Sequence, residues 1–386
     1  MKKWIFVVLL CGFFGAEAGG KIYAAEQGDV TATQDVFQTI YDSVPLEEVE
    51  NVLQELKDEQ MDFSFQQYVD KVIQGEAELS LQGIGEEIKT CVSREFQVNQ
   101  HTIYRLLLCG ILSGVFLNFA TSAYEKEMSQ TGFYLIYFFV VTILLGGFLE
   151  ASTVAKTVLD RVLVFMKALV PSFSIALTWS AGSATSMAFY QAALATMAIV
   201  EQVLVGIFLP LVQVYFLISI ANPLMDGKFA RMADLVRSLI RFGTKTILMV
   251  MIGHQGIQGL ITPALDGVKR GTLFRTASSL PGVGNVFGGV TDTIIGSGVL
   301  IKSAIGVGGL VAICVLCIVP LVRLWVFTIT YKGLAAFTQP VTDKRLVLVF
   351  QSAADSGRLL VHIVFMTAVM FLLTLTIIIA ATNHVY

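Results

Sequence analysis

Leu280-Pro281-Gly282-Val283-Gly284-Asn285-Val286-Phe287-Gly288-Gly289 leads, through Ile301-Lys302 and Ile305-Gly306, into Val319-Pro320-Leu321-Val322-Arg323. Pro281 and Pro320 are 39 residues apart, as are Pro171 and Pro210, and each second proline opens Pro-Leu-Val. Downstream of each pair comes the same short pattern, Ala233-Asp234-Leu235-Val236-Arg237 and Ala354-Asp355-Ser356-Gly357-Arg358. Two copies of one membrane unit, about 132–245 and 246–381, are the simplest explanation. Chance agreement between apolar segments is the alternative, because few residues between the anchors match. The choice matters because internal repeats in polytopic membrane proteins build sites at their interface. The stretches 281–301 and 171–199 both begin with proline and are rich in Gly, Ser, Thr and Ala. They are expected to be re-entrant loops or short helical hairpins, held where protein or water satisfies the backbone.

Working outward, the chain of 386 residues is 55% hydrophobic and 14% charged, with mean hydropathy +0.73. That leaves too little polar surface to cover a soluble globule of this size. An all-α polytopic membrane bundle is the fold class this implies. The net charge of −3 conceals a division: residues 26–100 carry 17 acidic and 4 basic side chains, whereas 101–386 carry 11 and 19. Residues 1–25, with Lys2 and Lys3, an apolar run from Trp4 to about Phe14 and then small residues to Ala25, read as a signal peptide. An uncleaved anchor would export the following segment equally well. Residues 26–100 are then an acidic extracytoplasmic region of three or four short helices. Leu46, Val49, Leu53 and Leu56 form one stripe in it, and Ser64-x-x-Gln67 a capping box.

Residues 101–386 form the polytopic domain, with apolar spans at about 104–120, 132–150, 201–221, 246–264, 303–327 and 359–381. With the acidic region outside, segments 222–245 and 328–358 fall in the cytoplasm. The first is amphipathic. Lys228, Arg231, Arg237, Arg241 and Lys245 make it basic beside the stripe Phe229, Met232, Val236, Leu239 and Ile240. It is expected to lie along the anionic inner face of the membrane, with lipid as a partner.

Enzyme chemistry is scarce. The four histidines are not at metal-ligand spacing, no Walker A sequence occurs, and the glycine-rich run does not give Gly-x-Gly-x-x-Gly. No enzyme activity, cofactor, metal or nucleic acid is expected. Ser180 with His254 is the one pair that an intramembrane protease could use, and Cys314-x-x-Cys317 is better explained by packing than by redox chemistry. Gly110 with Gly114, Gly284 with Gly288, and Ala304 with Gly308 suit close helix contact. The charged residues placed within or beside the apolar spans are Arg323, Lys302, Glu201 and Asp292; such a charge near the bilayer centre costs about 2.5–3.5 kcal/mol. Arg323 is read as facing inward, with Gln213 at the matching place in the first copy. Lys302 and Glu201 are either interior or snorkelling at the surface. Pro281, Gly282, Gly284, Gly288, Gly306 and Pro320 complete the candidate interior and packing set.

The residues Leu265-Asp266-Gly267-Val268-Lys269-Arg270, Leu280-Pro281-Gly282-Val283-Gly284, Ile301-Lys302, Ile305-Gly306, Val319-Pro320 and Gln339-Pro340, in this order, resemble the stage III sporulation protein AE family of endospore-forming bacteria. The resemblance covers most of the chain and includes no catalytic signature. It implies a subunit of a multiprotein complex in the mother-cell membrane around the forespore, encoded with seven neighbours and needed for late forespore gene expression. It also implies partners among the other stage III sporulation A-operon proteins. One of these, the AH protein, links the complex to stage II sporulation protein Q in a channel between the two cells. A self-sufficient secondary transporter, with its site between the two copies, is the alternative reading, and assembly as an oligomer is left open.

Overall fold

A computed structural model describes residues 30–57, 63–76, 81–123, 126–181, 184–277 and 284–383. The signal segment, Pro281 and Gly282 lie outside them. Every element among the described residues is helical. Three short helices, α1 (Val30–Asp42), α2 (Leu46–Leu56) and α3 (Phe65–Gln74), precede α4 (Leu81–Ala123) and α5 (Lys126–Ala181). Then come α6 (Ala184–Val203), α7 (Leu209–Ala221), α8 (Ala230–Ala277), α9 (Gly284–Thr338) and α10 (Lys344–Asn383). Four segments are long and apolar enough to cross a membrane: Gln130–Ser180, Tyr190–Met225, Ile294–Thr338 and Lys344–Ala380.

The short helices follow their sequence signals. Leu46, Val49 and Leu53 are buried on one stripe of α2, and the Ser64 hydroxyl accepts from the Gln67 amide at 3.3 Å, capping α3. Gly75 closes α3 at φ +75, in the left-handed region that glycine adopts without steric cost. Tyr41 donates its hydroxyl proton to the Asp70 carboxylate, tying α1 to α3. Burial, and then that carboxylate, push the phenol well above its ordinary range, so it stays a donor.

These helices do not stand apart from the membrane body. Phe65 meets Phe165 edge-to-face at 6.2 Å, Ser172 donates to the Pro45 carbonyl at 2.9 Å, and Phe65 and Val69 cover Gly308 of α9. The small residue expected to let helices approach one another instead admits two side chains of α3. Nor is the change in charge at residue 100 a structural break, because it falls inside the 43-residue α4.

The two proline-led stretches, expected as re-entrant loops or short helical hairpins, are helical wherever they are described. Residues 171–181 are the end of α5, which runs through Pro171, and 184–199 belong to α6. Residues 284–301 begin α9, which is continuous from Gly284 past Pro320 to Thr338. Before Pro210 the chain widens into a π-turn, Leu204–Phe208, which relieves the clash between the proline ring and the preceding turn.

At one end of the bundle, Asn222–Met225 form a 3-10 turn, followed by Asp226 (φ 50) and Gly227 (φ 81), which reverse the chain into α8. The Asn222 side-chain oxygen accepts from the Phe229 amide at 3.0 Å. The turn between α9 and α10 lies at the same end: Thr342 donates to the Gly110 carbonyl at 2.8 Å, and Arg345 approaches Asp226 at 3.8 Å.

Gly114 faces the carbonyl oxygen of Val341, which a Cβ would meet at 1.9 Å, whereas a Cβ on Gly146 would meet nothing. Overpacking against backbone costs about 1–3 kcal/mol. Gly114→Ala should therefore lower the thermal unfolding midpoint of the detergent-purified protein, and Gly146→Ala should leave it unchanged.

Candidate functional site

The segment 228–245 was expected to lie flat on the membrane; from Ala230 it is the first third of α8, standing beside α10. Three polar contacts between the two helices establish this. Arg237 pairs with Asp355, Thr244 with His362 at 3.1 Å, and Gln255 donates to the Thr374 hydroxyl. The partners are 118, 118 and 119 residues apart, so the helices run parallel and in register. The buried side of α8, Ala233, Ile240 and Thr244, faces protein, while Phe229, Met232 and Leu239 of the expected apolar stripe remain exposed.

Arg237 is accordingly not an outward-facing cation. Its guanidinium donates to the Tyr215 hydroxyl at 2.5 Å and to the Asp355 carboxylate, and sits 5.2 Å from the centre of the Tyr215 ring. The other oxygen of Asp355 is held by Arg358 at 3.2 Å. The two Ala-Asp-x-x-Arg segments thus meet, with Asp355 of the second bridging an arginine from each. Tyr215, five residues after Pro210, is the member that the sequence did not reveal. Lys228, Arg231, Arg241 and Lys245 remain exposed. An open concavity of about 400 Å³ is lined by Asp234, Arg237, Ser238, Arg241, Phe242 and Lys245.

The other candidates do not converge on this cluster. Arg323 forms an ion pair with Glu95 of α4 at 3.0 Å, where the two side chains keep 36% and 19% exposure. Its partner thus comes from the segment counted with the acidic extracytoplasmic region, and only the fold brings the two together. Gln213, at the matching place, donates to the Ser152 hydroxyl at 3.1 Å. Glu201 is buried, with Asp160 as its nearest acidic neighbour and Lys167 and Lys156 close by. Lys302 is fully buried on α9, so it does not snorkel. One turn to either side of it, Gly298 lies against the backbone of Trp179 and Ser180, and Gly306 against Ile379. Pro320 lies within α9, while Gly284 and Gly288 fall in its first turns, where side-chain surroundings are outside the described residues. Asp292 is likewise outside them.

Ser180 donates to the Leu177 carbonyl of its own helix at 3.0 Å, and His254 lies 3.4 Å from Thr196. Cys314 and Cys317 form no disulfide with each other. No group of three or more metal-ligating side chains occurs among the described residues. What the arrangement does chemically is hold helices in register by polar contacts and leave Arg231, Arg241 and Lys245 exposed on α8.

Arg237→Ala and Asp355→Ala should each destabilise the protein by about 1–2 kcal/mol, below the cost for a fully buried pair because the side chains keep 27% and 29% exposure. A double-mutant cycle read by thermal unfolding in detergent should show a positive coupling between them. Arg358→Ala, at a more exposed partner, should cost less than Asp355→Ala, which removes the bridge itself.

Among solved structures, none matches this chain. The stage III sporulation protein AE of Bacillus subtilis (strain 168) is 25% identical to it over 273 residues, covering 70% of this chain and 68% of that protein. The model of the family described as stage III sporulation protein AE matches residues 63–382, which take in the capped α3 and all the long helices, and the chain belongs to that family.

Proposed function

We propose that this chain is a non-enzymatic subunit of a membrane-spanning channel or secretion complex between mother cell and forespore, seated in the mother-cell membrane with its N-terminal region on the extracytoplasmic side. Family membership and four helices able to cross a bilayer support a sporulation membrane protein. The observation that carries the finer reading is the use to which polar residues are put. Arg237, Asp355, Thr244, His362, Gln255 and Thr374 join one helix to another, which is how a bundle fixes a rigid shape in apolar surroundings. The proposed partners are the other stage III sporulation A-operon proteins, including the AH protein and, through it, stage II sporulation protein Q. The basic turn of Lys228 and Arg231 is offered to a cytoplasmic subunit such as the ATPase of the complex.

In an endospore-forming host lacking its own copy, the intact chain should restore late forespore gene expression and co-purify in detergent with the other subunits. Purification alone as a monomer, while the complex assembles normally without it, would exclude this function. The meeting of the two Ala-Asp-x-x-Arg segments favours a second reading, a secondary transporter working between two copies. Solute uptake by proteoliposomes containing only this chain would support that one, and its absence alongside restored sporulation would favour the channel subunit.

A further inference from the structure

The outer face of α8 combines features that do not belong together on a helix facing lipid. Arg241 and Lys245 are one turn apart, both exposed, and among the described residues neither has a carboxylate within ion-pair distance. Like charges at this spacing repel. Arg237 is compensated by Asp355, and Asp234 offsets one of the remaining cations, so the concavity keeps an excess of positive charge. Ser238 forms part of its lining and Phe242 its apolar side.

This charged face is bracketed by exposed apolar side chains on the same helix. Met232 and Leu235 precede it, Leu239 lies on its flank, and Met249, Val250 and Ile257 follow. The helix is also locked beside α10, within the segment of α10 able to cross a membrane. The cations, each within three residues of Thr244, therefore lie beside that segment of α10 and not on a free tail. Hydrocarbon disfavours two adjacent unpaired cations, so water or an anion must meet them.

We propose that the concavity formed by Arg237, Ser238, Arg241 and Lys245 is the wall of a water-filled passage at membrane depth, attracting small anionic solutes. The inference rests on the channel reading above and adds which helix faces the water and which charge it favours. Positive groups in a concave wall raise the local concentration of anions by tenfold or more. Leu235 and Leu239, on the neighbouring flank, are left to lipid or to an adjoining subunit.

The test uses the full chain, cleared of its native cysteines and carrying Ser238→Cys, in membranes of cells that also make the rest of the complex. Rates of modification by a membrane-impermeant anionic thiosulfonate and by its cationic counterpart are compared, each normalised to a free thiol in solution. Ser238→Cys should react with both, with the normalised ratio shifted about tenfold toward the anionic reagent. Arg241→Gln with Lys245→Gln should abolish the shift, and because neither residue has an ion-pair partner among the described residues, the double variant should keep its unfolding midpoint. Leu239→Cys should react only with a lipid-permeant maleimide. Protection of Ser238→Cys from both impermeant reagents, or a ratio indifferent to the two substitutions, would overturn the proposal. Co-purification with the other subunits is read from the same membranes. Loss of that association with the anion preference intact would reject the channel reading alone.

Discussion

The parallel register of α8 and α10 is the constraint on which the rest of the body depends. Three polar contacts, Arg237 with Asp355, Thr244 with His362 and Gln255 with Thr374, fix two helices that carry many interchangeable apolar side chains. Apolar surfaces alone slide past one another at little cost in a bilayer, since lipid solvates them as well as protein does. A bridging carboxylate does not slide. Once Asp355 is placed against Arg237, Tyr215 must come with it, and α7 is held by the same knot. From α7, Gln213 reaches Ser152 of α5, and the fixed geometry passes to the opposite side of the bundle.

Backbone approach does on the other flank what charge does on this one. Gly298 admits the end of α5, Gly306 admits Ile379, and Gly309 admits Leu375 and Leu169, so α9 lies deep among its neighbours. Burial of Lys302 between Gly298 and Gly306 follows from that closeness, because the side chain has no path along the helix surface to water. The most apolar window of α5 is 28% buried, against 56% in α9 and 50% in α10. That window of α5 is therefore the more exposed, and the apolar windows of α9 and α10 lie closer to the centre of the bundle.

How far the sequence could be read follows from this division. Composition, the apolar stripe of α2 and the Ser64 cap depend on local properties and were legible, as was the all-helical class. The family order of Pro281, Lys302, Gly306 and Pro320 was legible too, though not what those residues touch. The helix ends were not. Pro171 and Pro320 sit inside continuous helices, although a proline on its own reads as a helix boundary. Arg237 was assigned to an outer basic stripe because helical periodicity places it near Arg241, whereas its partner lies 118 residues away. Arg323 had a partner that net charge alone assigned to another region.

Helix length explains the placing of the acidic helices. At 1.5 Å per residue, α5 and α9, of 56 and 55 residues, are each about 80 Å long, while the hydrocarbon core is about 30 Å thick. More than half of each must be covered by something other than acyl chains. Phe65 and Val69 on Gly308, Phe65 on Phe165, and Pro45 under Ser172 supply such a cover, and where they sit lipid is excluded. Helices α1 to α3 are thus a fixed part of the bundle wall, and their apolar stripes are spent on α5 and α9. What they leave to a partner is their acidic outer surface, held at a set position relative to the bundle by the Tyr41–Asp70 bond and the Pro45 contact. A partner that recognises this surface therefore reads the position of the membrane body as well.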